Sequence, residues 1–179
     1  MADMLDKYRG SLVGGAVGDA LGYTVEFCSE RQIFSEYGEN GITEYALKNG
    51  KALISDDTQM TMFTVTALLD GITRGKLRGI MGDFSTYMAF EYQGWYLTQT
   101  ANYPVDIEEN YAKYSWVMNL PEMFSRRTPG NTCLSALAAG GKGNIEKPIN
   151  NSKGCGGIMR VAPLSLIHIS EPTRQEAIS

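Results

Sequence analysis

With 179 residues, the chain is long enough for one domain with a real core and too short for two. Its 43% hydrophobic and 20% charged content is ordinary for a globular protein, and a net charge of -4 with no basic run beyond Arg126 and Arg127 argues against nucleic-acid binding. The charged start "MADMLDKYRG" lacks the apolar stretch of a signal peptide, no segment approaches the ~18 apolar residues of a membrane span, and Cys28, Cys133 and Cys155 are odd in number without CxxC spacing; the expectation is a cytoplasmic protein that does not engage membranes.

The first element is a helix over 3–22, with Leu5, Tyr8, Leu12, Ala16 and Ala20 near one stripe. Gly10, Gly14, Gly18 and Gly22 recur every four residues on the other side. Each interior glycine costs about 1 kcal/mol relative to alanine, so the pattern predicts a central helix whose glycine groove meets another backbone. The stretch "GGAVGDALG" lacks the GxGxxG spacing and the lysine of a nucleotide loop. Residues 23–52 read as irregular, with turn signals at Gly38, at Asn40 with Gly41 and at Asn49 with Gly50, and short extended pieces at 42–45 and 52–54.

A second helix is expected over 57–70. Met60, Met62, Phe63, Val65, Ala67, Leu68 and Leu69 make it apolar nearly all round, the pattern of a helix buried on most sides. Helices over 80–97 and 106–119 carry an aromatic series including Tyr92, Trp95 and Trp116. The turn "TPGNT" at 128–132 offers Asn131 as N-cap of a helix through Ala139, and "SKGCGGIMRVAPL" opens a further short helix. There is no internal repeat and no convincing sheet, so the fold class is all-α. The tail at 164–179 breaks the pattern: "LSLIHISEPTR" resembles the translation of a sequencing adapter. It is expected to be non-native, leaving 1–163 as the domain and His168, the lone histidine, without functional weight.

Three places carry chemistry. "LISDDTQM" sets Asp56 and Asp57 between Ser55 and Thr58 at a helix start. One aspartate there is a natural cap; the second would repel the first. A hard divalent cation taking oxygens from Ser55, Asp56 and Asp57 is the other reading. Glu26 follows the glycine helix among Tyr23, Val25 and Phe27. It is either a surface glutamate past a helix end or, if buried, a carboxyl of raised pKa suited to proton transfer. Asp19 offers a structural alternative, bonding loop amides. The glycines of "SKGCGG" at 152–157 make either a plain turn or a cradle for an anion. Cys155 has no histidine partner outside the tail to activate it as a nucleophile.

In combination and order, "GSLVGGAVGDALGYTVEF", "ISDDTQM", "PGNTCLSAL" and "SKGCGGIMRVAPL" resemble the N-terminal half of the ADP-ribosylglycohydrolase family. The resemblance runs from Tyr8 to Pro163. It implies a compact orthogonal helical bundle, two Mg²⁺ or Mn²⁺ ions, and hydrolysis of the glycosidic bond at C1 of the distal ribose of ADP-ribose. Substrates would be ADP-ribosylated proteins or small ADP-ribose-containing molecules. Matched motif to motif, the metal triplet falls on Ser55, Asp56 and Asp57, the acidic catalytic residue on Glu26, and the substrate-facing glycine loop on Gly154, Gly156 and Gly157. The family's second metal motif, an Asp-x-Asp-Thr, is absent from this sequence, so the chain by itself is expected to be inactive. The alternative is a non-catalytic ADP-ribose-binding or interaction module.

Overall fold

The computed structural model describes residues 2–106 and 115–170. Six helices dominate them: α1 (Ala2–Gly22), α2 (Glu30–Tyr37), α3 (Asp56–Arg78), α4 (Phe84–Thr100), α5 (Asn131–Ala138) and α6 (Ala162–Ser170). The only strands among the described residues are β1 (Leu47–Lys48) and β2 (Lys51–Ala52), a minimal antiparallel hairpin. The all-α expectation holds. Asn49 and Gly50 turn the hairpin with φ of 51° and 74°, the left-handed pair that a two-residue hairpin loop demands. No strand forms at 42–45.

The centre of the molecule is the antiparallel pair α3 and α4. Gly71 lies beside Phe84, Thr64 bonds Tyr92, and Gln59 bonds Gln99, so one helix runs down as the other runs up. The connection is short because α3 stops cleanly. Gly79 adopts φ 70° and donates its N–H to Gly75 O at 2.8 Å, the glycine C-cap that ends many helices. Asp83 then starts α4, its Oδ1 accepting from Ser85 N at 2.9 Å, four residues later than the aromatic pattern implied.

The core gathers Met60 and Phe63 of α3, Trp95 of α4, Val117 and Met118, Met123, and Cys133 and Leu137 of α5. The polar side chains inside form a network in which Gln99 Oε1 alone, among the described residues, is left without a partner. Gln59 Oε1 accepts from Trp95 Nε1 and from Gln99 Nε2, both at 3.2 Å, while Gln59 Nε2 donates to Ser125 O at 2.9 Å. The second helix is longer than the 57–70 read from its apolar face. It is also less uniformly covered, since Leu69 is 51% exposed.

Several local expectations fail for physical reasons. The α1 glycines meet nothing: a Cβ on Gly10, Gly14, Gly18 or Gly22 would find no atom within 4 Å. Helix α1 is therefore peripheral in this chain, and Leu5 of its supposed inner stripe is half exposed. Close approach occurs instead in α3, where a Cβ on Gly71 would lie 2.9 Å from the Phe84 ring. Helix α2 was missed although Ser29 and Gln32 form a capping box, with Ser29 N donating to Gln32 Oε1 at 2.8 Å. Most of the helix expected at 106–119 lies outside the described residues, and its end, Trp116–Asn119, is a 3-10 turn. Gly130, not Asn131, is the N-cap of α5. Helix α6 packs on α1 and α3.

Candidate active site

The N-terminus of α3 has its free amides satisfied from two sides. Ser55 Oγ accepts from Asp57 N at 3.1 Å. Asp19, near the end of α1, reaches across so that its Oδ2 accepts from Ser55 N at 2.9 Å, from Thr58 N at 3.2 Å and from the Thr58 hydroxyl. The structural reading of Asp19 is the right one. With the cap filled by Ser55 and Asp19, neither Asp56 nor Asp57 is needed for it.

Residues 127–130 wrap the same helix start. Asp56 N donates to Arg127 O at 3.1 Å, Arg127 Nη1 donates to Ile54 O at 3.2 Å, and Gly130 N donates to Asp56 Oδ2 at 3.2 Å. Thr128 has φ 52°, unusual for a β-branched residue, and its hydroxyl donates to Glu26 Oε2 at 3.2 Å. The Asp57 carboxylate has no hydrogen-bond donor among the described residues, and backbone amides alone, those of Gly130 and of Asp56 itself, serve that of Asp56.

The electrostatics follow from this shortage of donors. Burial pushes Asp56 up to about 6; the Gly130 amide opposes the shift, and the charges of Asp57 and Glu26 add to it. Asp57 is also raised, by partial burial of its carboxyl and by Asp19 and Glu26, against the pull of Arg160. Unshielded like charges disfavour ionisation of both groups. A bound cation would reverse that.

A cleft of about 640 Å³ opens over this helix start. Glu26, Asp56, Asp57, Gly154, Gly156 and Gly157 all line it. Ser55 does not; it is buried behind the doublet with its hydroxyl in the cap. Glu26 is exposed rather than set in an apolar pocket, and Phe27 beside it is 76% exposed. The glycine loop forms a 3-10 turn, Cys155–Gly157, and the next helix starts only at Ala162. The loop is thus a turn lining the cleft and not the first turn of a helix.

Divalent metal is the group to test against these residues. The donors are hard oxygens in a pocket of excess negative charge, and the two adjacent carboxylates repel each other, so the donor chemistry fits Mg²⁺ or Mn²⁺. Among the described residues no three carboxyl, histidine or cysteine side chains converge as a preformed cage. The set present fits as part of a ligand shell.

Thr128, Tyr92 and Arg160 also line the cleft; Tyr92 belongs to the aromatic series read from the sequence, whereas Thr128 and Arg160 were not singled out. Arg160 stands three residues past the glycine loop, in the same motif, and is the only Lys or Arg lining the cleft among the described residues. No helix of the described residues is long and apolar enough to cross a membrane. No curated protein and no solved structure matches the chain. The family model for ADP-ribosylglycohydrolase matches residues 1–179, and the chain accordingly belongs to the ADP-ribosylglycohydrolase family.

Proposed function

We propose that the cleft takes ADP-ribose-containing substrates and that its chemistry is metal-dependent hydrolysis of the bond between ADP-ribose and its acceptor. The observation that carries this reading is the cap of α3: Asp19 and Ser55 complete it, leaving two adjacent carboxylates at the cleft with no cationic side chain bonded to either among the described residues. Asp56 Oδ2 anchors the Gly130 amide, but the Asp57 carboxylate has no such partner among the described residues, and the two adjacent charges repel unless a cation joins them. Asp56 and Asp57 would hold the cation, while Ser55, whose hydroxyl caps α3, would support the doublet from behind. A divalent ion bound there supplies Lewis acidity toward ribose oxygens and water.

The chain's own residues do the remaining work. Glu26, exposed to the cleft and oriented by Thr128, accepts a proton from the incoming water as the bond from C1 to the leaving group lengthens and the ribose takes on oxocarbenium character. Gly154 and Gly157 leave open room for the substrate, since a Cβ on Gly157 would meet nothing within 4 Å and one on Gly154 only Ser152 Oγ at 3.4 Å. The substrate is an ADP-ribosylated protein or a small ADP-ribose-containing molecule. Cys28, Cys133 and Cys155 are free thiols, in keeping with a reducing, cytoplasmic setting.

Because the sequence contains no Asp-x-Asp-Thr, the 179-residue chain supplies part of the ligand shell and is expected to bind Mg²⁺ weakly and to release no ADP-ribose. The test is calorimetric titration of Mg²⁺ and Mn²⁺ into the chain and into Asp56→Asn and Asp57→Asn, alongside an assay for ADP-ribose release. Loss of metal binding in both variants supports the assignment; binding unchanged in both overturns it.

A further inference from the structure

The side chain of Arg160 is held from three directions. Its Nε donates to Gly156 O at 2.7 Å, and its Nη2 donates to Cys133 Sγ at 2.9 Å. The guanidinium lies over the Tyr92 ring, 4.9 Å from the centroid, a stacking that arginine makes better than lysine. Tyr92 is itself anchored: its hydroxyl shares a 2.8 Å hydrogen bond with Thr64 Oγ1, which donates to Met60 O at 2.9 Å. Thr64 and Met60 are fully buried. Arg160 therefore rests on the rigid α3–α4 pair and reaches outward from it.

What it reaches for is the glycine loop. Gly156 is pressed against α5 so closely that a Cβ would lie 2.6 Å from Cys133 Sγ. Arg160 bridges the same two residues, one N–H to each. No carboxylate lies within ion-pair distance of the guanidinium among the described residues, so the charge is not consumed in a salt bridge. Two N–H groups diverging from one plane are what this bridge uses, and an ammonium on a flexible stem cannot reproduce them.

We propose that Arg160 is a positioning residue: it clamps the Gly156 carbonyl and the Cys133 thiol together and so fixes the 154–157 loop at the wall of the cleft where the substrate lies. The substrate half of this inference rests on the functional reading above; the clamp does not. Arg160→Lys keeps the positive charge near Asp57 and removes the fork, so an effect through charge alone would survive it.

The experiment pairs two readouts on the full chain. Calorimetry with ADP-ribose measures the loop's grip on ligand, and site-resolved iodoacetamide labelling measures access to Cys133, with half-buried Cys28, outside the loop, as the internal standard. For Arg160→Lys we expect a Kd for ADP-ribose raised roughly tenfold, the loss of one charge-assisted hydrogen bond, together with faster labelling of Cys133 and unchanged Mg²⁺ binding. Gly156→Ala, whose Cβ would lie 2.6 Å from Cys133 Sγ and 3.6 Å from Arg160 Nη2, pushes the loop off Cys133 while leaving the guanidinium in the chain; it should give the same pair of changes and stands in if Arg160→Lys does not fold. Weaker ADP-ribose binding with unchanged Cys133 labelling would overturn the clamp. Faster labelling with unchanged binding would overturn the positioning role. If the wild-type chain binds no ADP-ribose, the functional reading fails, and the labelling arm still decides whether the clamp exists.

Discussion

Glu91 offers the sharpest energetic test of the fold. It sits in α4, 5% exposed, with its Oε2 accepting a 2.6 Å hydrogen bond from Ser115 Oγ. Burial pushes its pKa up to about 7; the Ser115 hydroxyl works against the shift, and the charge of Asp70 adds to it. An unfolded glutamate titrates near 4.5. Between those two values the unfolded chain is ionised while the folded one keeps its proton, so the native state binds more protons and stability falls as pH rises. The contribution is intact below about 4.5 and lost as pH passes through about 7. The gap corresponds to about 3 kcal/mol.

Glu91→Gln removes the ionisation and keeps an acceptor for Ser115. At pH 5 the neutral glutamate and the glutamine are near equivalents. At pH 8 the variant should be more stable by up to about 3 kcal/mol, roughly 6–12 °C in Tm for a chain of this size. Circular dichroism melts of both proteins at pH 5 and pH 8 measure it. Asp56 and the other titrating groups are common to both proteins, so the difference isolates Glu91. An equal Tm difference at the two pH values, or a variant less stable at pH 8, would refute the buried-carboxyl argument.

Gln59→Ala should lower stability by about 2–3 kcal/mol, because Trp95 Nε1 and Gln99 Nε2 both lose a buried acceptor; urea titration reads the change as a shift in midpoint. The glycines give an opposed pair. Gly71→Ala drives a Cβ to within 2.9–3.1 Å of the Phe84 and Tyr87 rings and should destabilise by about 1–2 kcal/mol, whereas Gly14→Ala enters open space and should stabilise by about 1 kcal/mol; thermal melts of the two variants should move in opposite directions. In a protein carrying this cleft together with both metal motifs, Glu26→Gln should reduce turnover by roughly 10²–10⁴ while ADP-ribose affinity changes little. Equal losses in steady-state kcat and in affinity would make Glu26 a binding residue.

The helices were legible where one face carried the signal. The run from Met60 to Leu68 announced a buried helix, and the buried face of α3 contains Met60, Phe63, Ala67 and Leu68. Its continuation to Arg78 was hidden because the last turns are polar outside and have glycine inside, at Gly71 and Gly75. Those residues contribute no apolar periodicity, and their use appears only when the Phe84 and Met81 side chains are in place. The α1 glycines deceived for the same reason in reverse: spacing every four residues marks a groove but does not say what fills it. Helix α2 left a readable mark, Ser29 with Gln32, in a stretch whose turn signals drew attention away.

The doublet at Asp56 and Asp57 shows why the site could be located but not resolved from its own neighbourhood. Whether an aspartate at a helix start serves as the cap depends on whether something else does, and here the decisive acceptor is Asp19, 36 positions before Ser55 in the chain. Local sequence cannot weigh a competitor at that distance. Once Asp19 and Ser55 take the amides of α3, the carboxylates beside them are left at the edge of the cleft, where burial first and neighbouring carboxylates second raise the pKa of Asp56 and Asp57. The same logic explains Arg160. Its motif was read for its glycines, which shape the loop, while the residue that holds the loop draws on Tyr92 and Cys133 from two other helices. Side chains that act by reaching across elements leave their evidence at the far end of the reach.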